Sequence, residues 1–170
     1  MSAKGTRNVF MTKINKILAT GFGTGLAPVA SGTFGTLPGV LIALAMTGLP
    51  VFWQCGVAAV LALLAIPICS AGERIFRLKD DGRIVADEYL TFPICVIGLP
   101  ILQEPVLLAI AFVVSRIMDI IKPFPAFTSQ KLKGGLGITA DDFISNVYAL
   151  GLNWAIYKYV YFQWIVPLVY

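Results

Sequence analysis

The sequence predicts an all-α membrane protein, a polytopic helical bundle of about four to five membrane helices with its polar loops on the cytoplasmic side. Three observations predict it. Of the 170 residues, 58% are hydrophobic and only 13% are charged, whereas soluble domains carry roughly 25% charge; the mean hydropathy is +0.83. No charged residue lies between Lys16 and Glu73, a span too long for one membrane helix of roughly 20 residues. The basic residues gather in three places: Lys4, Arg7, Lys13 and Lys16; Arg74, Arg77, Lys79 and Arg83; Arg116, Lys122, Lys131 and Lys133. Only Lys158 of the thirteen lies elsewhere. If helical hairpins separate these regions, all three share one side, and the positive-inside rule makes that side cytoplasmic.

The elements follow from this punctuation. Residues 8–20, "NVFMTKINKILAT", place Val9, Phe10, Ile14, Ile17 and Leu18 at near-helical spacing and predict a helix along the membrane surface. Residues 21–39 are rich in Gly, Pro and Thr and predict irregular backbone. A short apolar helix follows over about 37–49, then a turn at "GLP", then a helix over about 51–72 containing Pro67. A polar loop, 73–88, leads into an apolar run, 89–102, that holds Pro93 and Pro100 and predicts a tilted or incomplete span. After "QEP" comes a helix over 106–122, ended by "KPFP". A second polar loop, 124–142, precedes a last helix over about 143–166. The length suits one domain, residues 1–170.

Composition also excludes chemistry. With no histidine, the commonest general base and transition-metal ligand is missing. Cys55, Cys69 and Cys95 read as small apolar packers, and Cys69 stands one residue too close to Arg74 for a cysteine-phosphatase loop. The net charge of +4 matters less than where the charges stand, and no nucleic-acid partner is expected. Oligomeric state is not legible.

The carboxylates come in groups: Asp80–Asp81, Asp87–Glu88, Asp119 and Asp141–Asp142. Helix capping explains one acid per helix start, and "TADD" resembles a capping box. Capping explains two adjacent acids at two helix starts poorly, because like charges repel. A hard cation between them removes that repulsion, and Mg²⁺ takes carboxylates together with water and substrate phosphate. Arg116, Asp119 and Lys122 form a loose stripe on one helix. Snorkelling with an internal ion pair is the plain account of them; phosphate recognition is the functional one. In the Gly-rich stretch, Gly21–Gly25 and Gly35–Gly39 suit close helix packing. Free N–H groups beside Ser31, Gly32, Thr33 and Thr36 would equally suit an anion nest.

Together, "GFGTGLAPVASGTFGTLPG", "DDGRIVADE", "RIMDIIKPFP" and "GGLGITADD" resemble, in order and spacing, the motifs of the phosphatidylglycerophosphatase A family over about residues 21–146. The resemblance implies an all-α, Mg²⁺-dependent lipid phosphatase of the bacterial inner membrane, multi-pass, that converts phosphatidylglycerophosphate to phosphatidylglycerol. It carries over Asp80, Asp87, Glu88, Asp119, Asp141 and Asp142, with Lys122, Thr33 and the surrounding glycines. Ser31 stands where proline is usual and Asp81 where His or Pro is common; both departures concern loop geometry. The resulting assignment is catalytic for Asp87, Arg116, Asp119 and Lys122, substrate-binding for Ser31, Gly32, Thr33 and Thr36, and Mg²⁺-binding for Asp80, Asp87, Glu88, Asp141 and Asp142. The rival class is a small ion-coupled transporter using its carboxylates for coupling.

Overall fold

Glycine and proline, the residues that argue against regular structure in the segment 21–39, instead shape a helix. The computed structural model describes residues 3–169 and contains no strand among them. Helix α1 spans Ala3–Ala19 and is followed by a 3₁₀ segment, Gly21–Leu26, with left-handed backbone at Phe22 and Gly23. Helix α2 then runs Ser31–Met46 with Pro38 inside it, so irregular backbone ends at Ala30 rather than Gly39. The reason is tertiary contact. A Cβ on Gly35 would stand 2.5 Å from Val85 Cβ, and one on Gly39 2.6 Å from the Tyr89 carbonyl oxygen. The glycines let a second helix approach, which outweighs their poor intrinsic propensity.

Helix α3 covers Val51–Phe76, starting after Pro50 and passing through Pro67. Among the described residues it is the one helix long and apolar enough to cross a membrane, with a mean hydropathy of 2.2 over its best window; α2, at 16 residues, is a shorter apolar helix. The charged loop after α3 returns at once to the bundle, where the Val85 N–H donates to the Ala19 carbonyl at 2.8 Å.

The apolar run 89–102 does not form one continuous helix. Helix α4 is only Ala86–Thr91, continued by a 3₁₀ segment, Phe92–Val96. Phe92 and Cys95 are fully buried, and this segment is the centre of the core, packed by Ala43 of α2 and by Ala111 and Ala149 of two later helices. Its irregular backbone is satisfied by side chains from elsewhere. Gln54 accepts from the Gly98 N–H at 2.9 Å, Asn153 donates to the Cys95 carbonyl at 2.9 Å, and Trp154 donates to the Ile97 carbonyl at 3.1 Å. Non-helical backbone in apolar surroundings needs such shelter.

Helix α5 spans Val106–Ile121 and a short α6 spans Ala126–Ser129. Helix α7 starts at Gly135 and reaches Ile156, continuing through a π-helical stretch, Tyr157–Ile165, into α8, Val166–Val169. The expected loop 124–142 therefore ends eight residues early, and Asp141 and Asp142 stand inside a helix. The glycines of "KGGLGI" again mark close approach. A Cβ on Gly135 would collide with the Ile66 carbonyl and the Ser70 N–H of α3.

Candidate active site

Asp87 and Glu88 occupy the first turn of α4, as the dipole favours. Asp141 and Asp142 lie two turns into α7 and are 3% and 4% exposed. That position excludes capping as their reason, because the free N–H groups of a helix are confined to its first turn. Helix α5 brings Arg116 and Asp119 between them, joined at 3.0 Å.

Arg116 holds the site together. Its Nη1 lies 3.3 Å from Glu88 Oε2 and donates to Thr36 Oγ1 at 3.1 Å. Thr36 is buried in α2, and its hydroxyl donates to the Gly32 carbonyl at 2.9 Å, with Glu88 Oε2 3.3 Å away. One guanidinium thus links α2, α4 and α5. Gly32 leaves the space for it, since a Cβ there would stand 2.5 Å from Glu88 Oε1 and 2.7 Å from Arg116 Nη2.

Lys122 adopts left-handed backbone as it ends α5, φ 49°, a conformation uncommon outside glycine. Its ammonium meets Asp141 Oδ2, which also accepts from Gln130 Nε2 at 2.8 Å. Asp119 of α5 stands near the buried Asp142 of α7. Two carboxylates so placed need a proton or a cation between them.

The charges perturb one another strongly. Asp87 is buried beside Glu88 in the first turn of α4. Glu88 is held between the Arg116 guanidinium at 3.3 Å and the Thr36 hydroxyl at 3.3 Å. Burial disfavours the charged form of Lys122, but Asp141 outweighs it and raises the ammonium's pKa. Two carboxylate oxygens, Asp87 Oδ1 and Asp141 Oδ1, are buried with no hydrogen-bond partner. Buried acceptors in that state cost roughly 1–3 kcal/mol each. They are the atoms best placed to meet a cation, and an all-oxygen donor set suits a hard one. Among the described residues no group of three side chains makes a ready-formed metal cage. Mg²⁺ does not require one, since it keeps waters and takes substrate oxygens.

Other sequence-derived candidates fall at the edge. Asp80 is exposed, and its backbone N–H donates to Glu73 Oε1 at 3.2 Å; the structure does not join its side chain to the cluster. Its neighbour Asp81 is the buried one, gripped by Arg83 through Nε at 2.8 Å and Nη2 at 2.6 Å and held below its ordinary pKa by that contact. Ser31 and Thr33 open α2, half-buried and exposed respectively, where N–H groups lack intrahelical partners. Sequence reasoning missed Gln130 and the buried Thr91, Ser115 and Asn146. Polar residues in apolar runs were the available signal.

Residues 17–157 match the family model described as Phosphatidylglycerophosphatase A. The chain belongs to the phosphatidylglycerophosphatase A family. Members of this family are phosphoric monoester hydrolases. The chain is 36% identical over 144 residues to the phosphatidylglycerophosphatase A of Haemophilus influenzae, covering 82% of this chain and 86% of that one. It is 34% identical over 139 residues to the phosphatidylglycerophosphatase A of Escherichia coli, covering 80% and 79%. It is also 31% identical over 140 residues to a putative phosphatidylinositol-3-phosphatase of Bacteroides thetaiotaomicron, covering 78% and 87%. No solved structure matches. The matched span contains every carboxylate of the cluster together with Arg116 and Lys122.

Proposed function

We propose that this enzyme hydrolyses the terminal phosphate monoester of phosphatidylglycerophosphate, with Mg²⁺, in phospholipid biosynthesis. The observation that carries it is the convergence of five carboxylates, Asp87, Glu88, Asp119, Asp141 and Asp142, with two cations, Arg116 and Lys122, beside the start of α2. Such a site suits a multiply charged anion accompanied by a divalent cation. The names of all three relatives describe a phosphate monoester on a phospholipid headgroup.

Arg116 and Lys122 bind phosphoryl oxygens, and the N–H groups of Ser31, Gly32 and Thr33 add neutral donors at the positive end of α2. Asp87, Glu88, Asp141 and Asp142 would hold the Mg²⁺, which supplies Lewis-acid stabilisation of phosphoryl charge when bound. Asp119 is the half-buried carboxylate fixed by Arg116, placed to orient a water and accept its proton. The water oxygen forms the new bond to phosphorus, the ester P–O bond breaks, and the proton balance returns to the glycerol oxygen. The products are phosphatidylglycerol and inorganic phosphate.

In this reading α2, α3, α5 and α7 lie in the bacterial inner membrane, with the segment 86–101 entering between them. The N-terminus and the two charged loops are cytoplasmic. The substrate's acyl chains then stay in the bilayer while its headgroup reaches the site. The test is phosphate release by purified protein in mixed micelles. Release from phosphatidylglycerophosphate, lost on EDTA treatment and restored by Mg²⁺, is expected. Comparable rates on soluble glycerol phosphate, or full activity without a divalent cation, refute the proposal.

A further inference from the structure

Below the carboxylates, one amide joins the three helices that carry them. Asn146 on α7 is 4% exposed. Its Oδ1 accepts from Ser115 Oγ of α5 at 2.6 Å. Its Nδ2 donates to Thr91 Oγ1 of α4 at 3.0 Å and to the Asp142 carbonyl at 3.1 Å. The Thr91 hydroxyl in turn donates to the Asp87 carbonyl at 2.7 Å. Since Thr91 spends its one proton on Asp87, it can only accept from Asn146, and this fixes which end of the amide faces which helix.

Each member of the network adjoins a residue of the site. Ser115 precedes Arg116 directly. Thr91 stands four residues after Asp87, and Asn146 four after Asp142, one helical turn in both cases. Apolar side chains of similar size would fill this part of the core without the desolvation cost of buried polar groups. What the network adds is directional: it fixes the mutual rotation and height of α4, α5 and α7, which apolar packing leaves freer.

We infer that Asn146, with Ser115 and Thr91, is a positioning network that sets the spacing of Asp87, Asp142 and Arg116, and so the geometry that receives the divalent cation and the phosphate monoester. The inference rests on the functional reading above. Its test is the triple variant Thr91→Val/Ser115→Ala/Asn146→Leu, alongside Asn146→Leu alone and the pair Thr91→Ser and Thr91→Val. Removing one partner orphans the others, whereas removing all of them is close to neutral for folding. The triple variant is therefore expected to unfold near the wild-type temperature, with Asn146→Leu alone well below it. The triple variant should still lose about 10- to 100-fold in kcat and require about tenfold more Mg²⁺, at a nearly unchanged KM for lipid. Its Mn²⁺ affinity, read without substrate by electron paramagnetic resonance, should fall in parallel. Thr91→Ser keeps the hydroxyl and should keep turnover that Thr91→Val loses. A triple variant with wild-type kcat and wild-type cation requirement overturns the inference. If the triple variant does not fold, equal turnover of folded Thr91→Val and Thr91→Ser overturns it instead. A wild-type protein without cation-dependent phosphate release overturns the functional reading itself, and the positioning role with it.

Discussion

Replacing Gly32 by alanine separates the site's needs from the fold's. The added methyl would stand 2.5 Å from Glu88 Oε1 and 2.7 Å from Arg116 Nη2. Both atoms are the far ends of flexible side chains, so they can retreat and the backbone need not move. Ordinary contact begins near 3.4 Å, so Glu88 Oε1 must shift by about 0.9 Å, the difference between those distances. A misplacement of about 1 Å at a reacting centre costs on the order of 100-fold in rate. The helix itself gains, because alanine is favoured over glycine by up to about 1 kcal/mol. Gly32→Ala is therefore expected to unfold at or above the wild-type temperature while kcat falls about 100-fold. Gly39→Ala is the contrasting control. Its methyl meets the Tyr89 carbonyl oxygen at 2.6 Å and Tyr89 Cα at 2.9 Å, backbone atoms that cannot swing aside, and a loss of roughly 1–3 kcal/mol of stability is expected. Thermal unfolding in detergent and phosphate release, measured on the same preparations, decide the matter. Wild-type turnover in Gly32→Ala would show that the Glu88–Arg116 pair does not form part of the working site.

Asp87→Asn, Glu88→Gln and Asp142→Asn should each abolish phosphate release yet fold at least as well as wild type without metal, because each removes a repelled buried charge; full turnover per folded molecule in all three would return these acids to a purely structural role. Asp81, in the charged loop after α3, is held below its ordinary pKa by Arg83. Its contribution to stability is therefore present above that ordinary value and is lost as pH falls through the lowered one. Unfolding measured across the acid range should show that loss, flattened in Asp81→Asn; an unchanged acid limb in the variant contradicts the assignment. For topology, single cysteines at Lys79, Gln103 and Lys131 in a background lacking Cys55, Cys69 and Cys95 should react with an impermeant reagent from outside only at Gln103. External labelling at Lys79 or Lys131 would invert the arrangement.

Periodicity and charge placement carry much of this molecule. Helix α3 follows from its long uncharged run, and the Arg116–Asp119 pair from its i, i+3 spacing, found at 3.0 Å. The paired acids Asp87–Glu88 and Asp141–Asp142 are visible as pairs in the sequence, and the structure sets Arg116 against Glu88 and Lys122 against Asp141. What local pattern conceals is anything decided by a partner distant in sequence. Residues 31–39 have the composition of a loop because their glycines serve a seam against Val85 and Tyr89, some fifty residues on. Asp141 and Asp142 look like a helix start because "GGLGIT" looks flexible, yet Gly135 packs on the α3 backbone and the helix begins there. Asp80 and Asp81 cannot be ranked from sequence, since only the fold shows which one Arg83 covers. Asn146 reads as an ordinary helical residue until Ser115 and Thr91 are set against it.

The sheltered segment 92–101 also imposes an order on biosynthesis. The carbonyls of Cys95 and Ile97 receive their donors from Asn153 and Trp154, which the ribosome delivers 58 and 57 residues later. Until then these carbonyls lack those partners, an expensive condition wherever they are buried. The segment can settle only when the C-terminal helix docks, and the same docking brings Asp141 and Asp142 to Asp87 and Glu88. A nascent chain stalled before α7 therefore holds neither a finished core nor a phosphatase, and catalytic competence arrives in the same step as the native fold.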